Sequence, residues 1–122
     1  EHTPAPHIRF VVDLHPRDFI SLLRHAACLI GNSSSGIKEA SLFGVPVVNI
    51  GTRQTGRARG ENVCDVAHDA SVIKAAIEAQ VAHGPYAPSL TYFKPETSKL
   101  IRGVLKSVPL YTQKRFHDAA LV

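Results

Sequence analysis

An α/β domain built on a parallel sheet is the fold this sequence predicts, and three observations carry the prediction. Short apolar runs rich in β-branched residues stand at 8–12 (IRFVV), 28–30 (CLI) and 45–50 (VPVVNI). Between and after them, apolar residues recur at helical spacing. Gly, Pro, Asn or Ser marks each change of period. Alternation of this kind implies parallel strands with helices on both faces. The chain has 122 residues, 44% of them apolar, which suffices for one domain with its own core.

Residues 1–7 are polar and Pro-rich and read as a disordered linker. The run 8–12 reads as a buried strand. A loop at 13–16 follows, because the residue before a proline avoids the helical region. Phe19, Ile20, Leu22, Leu23 and Ala26 then give an amphipathic helix over 17–26. The second strand covers 28–30. A turn at 32–35 leads into a short helix over 36–43, with Gly44 as the glycine past its end. In the third strand, 45–50, Pro46 must sit at the start or on an unpaired side, since it has no N–H for a ladder. The loop 51–60 carries three glycines and three arginines, and 61–66 reads as a short edge strand. Asp69 or Ser71 caps a helix running to about residue 83, with Ile73, Ala76, Ile77 and Val81 inward. An irregular loop at 84–92 precedes a helix over 96–107, whose Leu100, Ile101, Val104 and Leu105 are expected to face inward. Residues 110–122 read as a tail or a last, crossing helix. Right-handed crossovers make the whole a Rossmann-like three-layer domain spanning 1–122.

Composition narrows the function. Lys and Arg number 14 against 10 Asp and Glu, a formal charge of +4. That balance suits a phosphate-bearing ligand. It does not point to nucleic acid, because no basic run with interleaved aromatics occurs. Cys28 and Cys64 lie in no metal-ligand spacing and read as free thiols in a reducing compartment. The histidines form no H-x-x-x-H pair, and neither a metal nor a cofactor is implied. The start, EHTPAPH, has no signal-peptide pattern, and no apolar run is long enough to span a membrane. A cytoplasmic location is expected. The chain contains no Met, which reads as a processed product or one piece of a larger polypeptide.

The stretch GNSSSGIKEASLFGVPVVNIGTRQTGR, residues 31–57, concentrates the chemistry. Asn32-Ser33-Ser34-Ser35-Gly36 follows a strand and opens a helix, whose first turn offers unpaired N–H groups to a phosphate. Taken alone, the turn also reads as Ser35 capping the helix beside two exposed serines. Neither a Walker loop nor G-x-G-x-x-G is present, so ATP hydrolysis and a dinucleotide are not supported. Glu39, one helical turn on, can accept both hydroxyls of a ribose. Its plain alternative is a carboxylate complementing the helix dipole. Arg53 and Arg57 leave the third strand at the same sheet edge, where ligands of open α/β sheets lie, and a guanidinium grips phosphate bidentately. His15-Pro16 ends the first strand at that edge, where a fixed main chain can meet a nucleobase. Convergence on one edge makes a nucleoside diphosphate the predicted ligand.

These residues carry a family resemblance. The segment HAACLIGNSSSGIKEASLFGVPVVNIGTRQTGRARGENV, residues 25–63, resembles the C-terminal half of the hydrolysing UDP-N-acetylglucosamine 2-epimerases, enzymes of sialic acid biosynthesis. The likeness reaches weakly back to His15-Pro16-Arg17-Asp18-Phe19 and forward to the helix near Ile77. It implies a GT-B architecture, with the active site between two Rossmann-like domains and this chain as the second. It further implies that Ser33 and Ser34 bind the diphosphate, that Ser35 and Gly36 shape the turn, and that Glu39 binds ribose. Arg53, with Arg57 second, would bind the phosphates, and the main chain at His15 would meet uracil. The implied reaction eliminates UDP to a glycal and adds water, giving N-acetylmannosamine and UDP. The family's proton-transferring residues match nothing here. No catalytic residue is therefore expected in this chain, which alone would be inactive. Its implied partners are a UDP-sugar and a missing N-terminal domain, within a homo-oligomeric parent enzyme. The alternatives are a GT-B glycosyltransferase domain and a non-catalytic nucleotide-sugar-binding module.

Overall fold

A computed structural model of the protein describes residues 5–109. The element order is α1 (Pro16–Arg24), β1 (Leu29–Gly31), α2 (Ser34–Ile37), α3 (Glu39–Phe43), β2 (Val47–Ile50), β3 (Val63–Val66), α4 (Ala70–His83) and α5 (Thr97–Ser107). The three strands form one parallel sheet in the order β1-β2-β3. The register sets Gly31 beside Asn49 and Ile50 beside Val66, so the chain leaves all three strands at one edge. The result is the α/β, Rossmann-like arrangement that the alternation predicts.

Local chemistry fixes the boundaries. Pro46 stands just before β2, where its missing N–H costs nothing, and its carbonyl accepts the Leu29 N–H at 2.8 Å. Gly44 ends α3 with φ 66°. A Cβ there would stand 2.0 Å from the Tyr86 carbonyl oxygen, so glycine is required twice over. Asp69, and not Ser71, caps α4: its carboxylate accepts from the N–H groups of Ser71 and Val72 at 2.9 and 3.0 Å. β3 lies at the sheet edge, as expected for 61–66.

One face of the sheet carries the core of Leu23, Ala40, Val45 and Val47, with Phe19, Leu29, Phe43 and Val63 packed against it. Val48 has the opposite parity on β2 and is fully buried; α4 is the helix that packs on β2 and β3. Polar side chains lock the strand starts. Asn62 donates to the Val45 carbonyl at 2.7 Å and accepts from the Ser41 hydroxyl at 2.8 Å. Gln80 donates to the carbonyls of Val47 and Asn62 and accepts from the Tyr86 hydroxyl. Both cysteines are free, and burial pushes the Cys28 thiol above the ordinary cysteine value.

Four expectations need correction. The run 8–12 is not a buried strand: Phe10 is 80% exposed and Val12 fully so. A strand needs ladder partners and a covered face, and the described residues supply neither to this run. The helix over 36–43 opens earlier, at Ser34, and splits at Lys38 into α2 and α3. Ser33 moves the start by capping it. Val81 is exposed, and the next inward position of α4 is the polar Gln80. Finally, α5 forms, but Leu100, Ile101, Val104 and Leu105 are all exposed, because no described element packs on them. The readings for residues 1–4 and 110–122 lie outside the described residues. Among the described residues no helix is long and apolar enough to cross a membrane.

Candidate functional site

The site grows from the ends of β1 and β2. At the end of β1 the backbone turns through Asn32, and Ser33 then caps α2 by accepting the Ser35 N–H at 3.3 Å. The Gly36 N–H turns back on the Ser33 carbonyl at 3.2 Å. Two of the first N–H groups are thus already used in capping. An anion here would draw on the Ser34 N–H and the serine hydroxyls, with Ser33 free to exchange its capping bond. Ser33 is exposed, and Ser34 and Ser35 are half-buried. Gly36 is buried, and a Cβ on it would stand 2.9 Å from a Val47 methyl, so its role is close packing of α2 on the sheet. Gly36 also helps line a cavity of about 160 Å³ with Asn32, Ser33 and Gly31.

The arginine loop folds onto this turn. Gln54 donates its side-chain amide to the Asn32 carbonyl at 2.7 Å. Arg53 reaches the same carbonyl and the Asn32 side-chain oxygen with one nitrogen, at 3.4 and 3.5 Å. These long bonds leave most of the guanidinium fork to a ligand. Arg57 is exposed, with no side-chain hydrogen bond among the described residues. Arg59 does something else. It pairs with Asp65, donates to the Gln54 carbonyl at 2.7 Å, and so ties the loop to β3. Asp65 also accepts from Asn49 at 2.6 Å. Sequence reasoning missed Gln54 and Arg59. A polar residue in a basic loop carries no sign of being buried, and the partner of Arg59 is set by sheet pairing.

Glu39 opens α3, beyond the kink at Lys38. It lines a separate cavity of about 230 Å³ with Lys38, Leu42, Tyr92 and Phe93. Its Oε2 is buried and has no hydrogen-bond partner among the described residues. An acceptor left bare beside apolar neighbours costs free energy unless something donates to it. His15 is placed differently from its prediction. No strand carries it to the sheet edge; it caps α1, its ring nitrogen accepts the Arg17 N–H at 3.4 Å, and its carbonyl closes the first helical turn through Asp18 and Phe19. Of its main chain, the N–H remains to be offered to a ligand. The structure thus brings the serine turn and Arg53 together, sets Glu39 in a neighbouring cavity across the Lys38 kink, and leaves His15 at the start of α1.

A family model described as UDP-N-acetylglucosamine 2-epimerase matches residues 1–106. The UDP-N,N'-diacetylbacillosamine 2-epimerase (hydrolyzing) of Legionella pneumophila is 35% identical over 113 residues, covering 93% of this chain and 30% of that protein. The UDP-N-acetylglucosamine 2-epimerase of Neisseria meningitidis is 38% identical over 74 residues, 61% of this chain and 20% of that protein. The GDP/UDP-N,N'-diacetylbacillosamine 2-epimerase (hydrolyzing) of Campylobacter jejuni is 47% identical over 53 residues, 43% of this chain and 14% of that protein. The chain spans less than a third of the length of these relatives.

Proposed function

This chain belongs to the UDP-N-acetylglucosamine 2-epimerase family, and from that premise we propose that it is the C-terminal, UDP-holding domain of a hydrolysing enzyme of that family. The observation that supports this reading most is the docking of the arginine loop on the serine turn through Asn32. It gives one place where hydroxyls, a backbone N–H and a guanidinium can share an anion. In this reading Ser33 and Ser34 take the diphosphate, Ser35 and Gly36 hold the turn, and Arg53 and Arg57 neutralise the phosphates. Glu39 accepts the ribose hydroxyls, and the His15 N–H faces the base.

Mechanistically, the domain holds the leaving group. Elimination removes a proton from the sugar's C2 and breaks the C1–O bond to UDP, leaving a glycal. Water then adds across the double bond, which yields the free 2-epimeric sugar beside the UDP already released. Negative charge develops on the departing pyrophosphate, and pre-placed donors there stabilise the transition state more than the ground state. The groups that move protons would come from the part of the protein outside this chain, which alone is then inactive. Hydrolysis, as opposed to simple epimerisation, draws on the names of the Legionella and Campylobacter relatives. The sugar is N-acetylglucosamine in this reading, within an amino-sugar route such as sialic acid formation. The same two names favour N,N'-diacetylbacillosamine as the second reading, carried on UDP in the Legionella name and on GDP or UDP in the Campylobacter name. A cytoplasmic, homo-oligomeric parent enzyme belongs to the same proposal.

Calorimetric titration tests it. UDP is expected to bind more tightly than ADP, and Arg53→Ala to weaken UDP by at least about tenfold, the loss of one charge-assisted pair. Equal affinity for UDP and ADP sinks the uridine reading, and unchanged affinity in the variant removes the phosphate site.

A further inference from the structure

Residues 84–93 form a strap laid across the carboxylate cavity. Two backbone hydrogen bonds hold it to α3: the Tyr86 N–H to the Gly44 carbonyl and the Ser89 N–H to the Ser41 carbonyl, both at 2.8 Å. At its far end the Tyr92 hydroxyl donates to the Ala58 carbonyl at 3.0 Å, one residue past Arg57. The strap therefore joins the helix that carries Glu39 to the loop that carries the arginines. At that far end Tyr92, with Phe93 next to it, lines the same cavity as Glu39. Both rings remain over 40% exposed. They are not core residues, and the fold gains little by exposing them.

A carboxylate oxygen with no donor, flanked by two partly exposed aromatic rings, has a chemical complement. A sugar ring offers vicinal hydroxyls that donate to a carboxylate, and a C–H face that lies against an aromatic ring. Resting on the UDP reading above, we propose that Tyr92 and Phe93 are the aromatic wall of the Glu39 subsite. Each would stack on the ring whose hydroxyls Glu39 accepts, either the ribose of the nucleotide or the attached hexose. Tyr92 has a second task, because its hydroxyl holds the arginine loop against that wall. The strap would then couple recognition of the ring to recognition of the phosphates.

The test measures binding of UDP, UDP-N-acetylglucosamine and inorganic pyrophosphate to the unsubstituted chain and to Phe93→Ala, Tyr92→Ala and Tyr92→Phe, each checked for thermal unfolding. Phe93→Ala and Tyr92→Ala are expected to weaken the nucleotide ligands about five- to tenfold. For Phe93→Ala, pyrophosphate binding should stay within about twofold. Tyr92→Phe keeps the ring and should retain most of the nucleotide affinity. Loss with UDP itself assigns the wall to ribose; loss confined to UDP-N-acetylglucosamine assigns it to the hexose. Unchanged nucleotide binding in both alanine variants overturns the wall while leaving the UDP site intact. So does an equal loss of nucleotide and pyrophosphate in Phe93→Ala, which marks the strap as merely structural. If the unsubstituted chain binds neither UDP nor pyrophosphate, the site reading and the wall fall together.

Discussion

Replacing Glu39 by Leu should stabilise this fold and, on the proposed reading, weaken its binding of UDP. The Glu39 Oε2 is buried without a donor, beside Leu42, Tyr92 and Phe93. A bare buried acceptor costs about 1–3 kcal/mol, and the low end applies because the residue as a whole is only half-buried. Against that stands the carboxylate's favourable place in the first turn of α3, at most about 1 kcal/mol and less on a helix this short. Leucine removes both and adds apolar burial. The desolvation term wins, and the expected net gain is about 1 kcal/mol. In a domain of this size that raises the melting temperature by about 4 °C. If Glu39 accepts ribose hydroxyls, the lost charge-assisted bonds weaken UDP by about 10- to 100-fold. Differential scanning fluorimetry with and without UDP reads both effects at once, since ligand stabilisation tracks occupancy. A Leu variant that melts lower than the parent shows that the carboxylate serves the fold. One that keeps its UDP-induced shift shows that it does not serve the ligand.

Two further outcomes follow from the same geometry. Asn62→Ala removes two buried hydrogen bonds and strands the Ser41 hydroxyl and the Val45 carbonyl, so urea denaturation should show a loss of about 2–4 kcal/mol; a change below about 0.5 kcal/mol refutes the network. The Asp69 carboxyl sits below its ordinary value, held there by the Ser71 hydroxyl and then by the Val72 N–H. Its folded value is depressed, so its contribution is complete above the unfolded value and is lost as pH falls through the folded one. Asp69→Asn should therefore flatten the acid limb of a stability–pH profile and leave the neutral plateau's slope unchanged; an unaltered acid limb refutes the cap's role.

Local chemistry was legible in the chain wherever one residue suffices to decide. Gly44 past a helix, Pro46 before a strand and Asp69 before α4 each act through their own backbone or a neighbour's N–H, so position in sequence is position in structure. The apolar runs that found partners, at β1 and β2, were equally readable. The runs at 8–12 and in α5 have the same patterning and yet are exposed, because an apolar pattern states only that a face needs covering. It does not say whether the cover lies in this chain.

The sequence by itself determined the parallel α/β alternation, the turn-and-loop stretch from Gly31 to Arg57, and the family to which they belong. Tertiary structure alone decided how that stretch is divided. Arg53, Arg57 and Arg59 look alike in GTRQTGRARG, but Arg59 is taken by Asp65 on β3 while Arg53 commits one nitrogen to long bonds with Asn32. Gln54 looks like a loop residue and is buried against Asn32. The pairing of β2 with β3 and the laying of 84–93 over α3 bring together residues far apart in the chain. The physical reason is that charge and hydrogen-bonding capacity belong to a residue, whereas whether they are spent on the fold or kept for a ligand depends on what packs beside them.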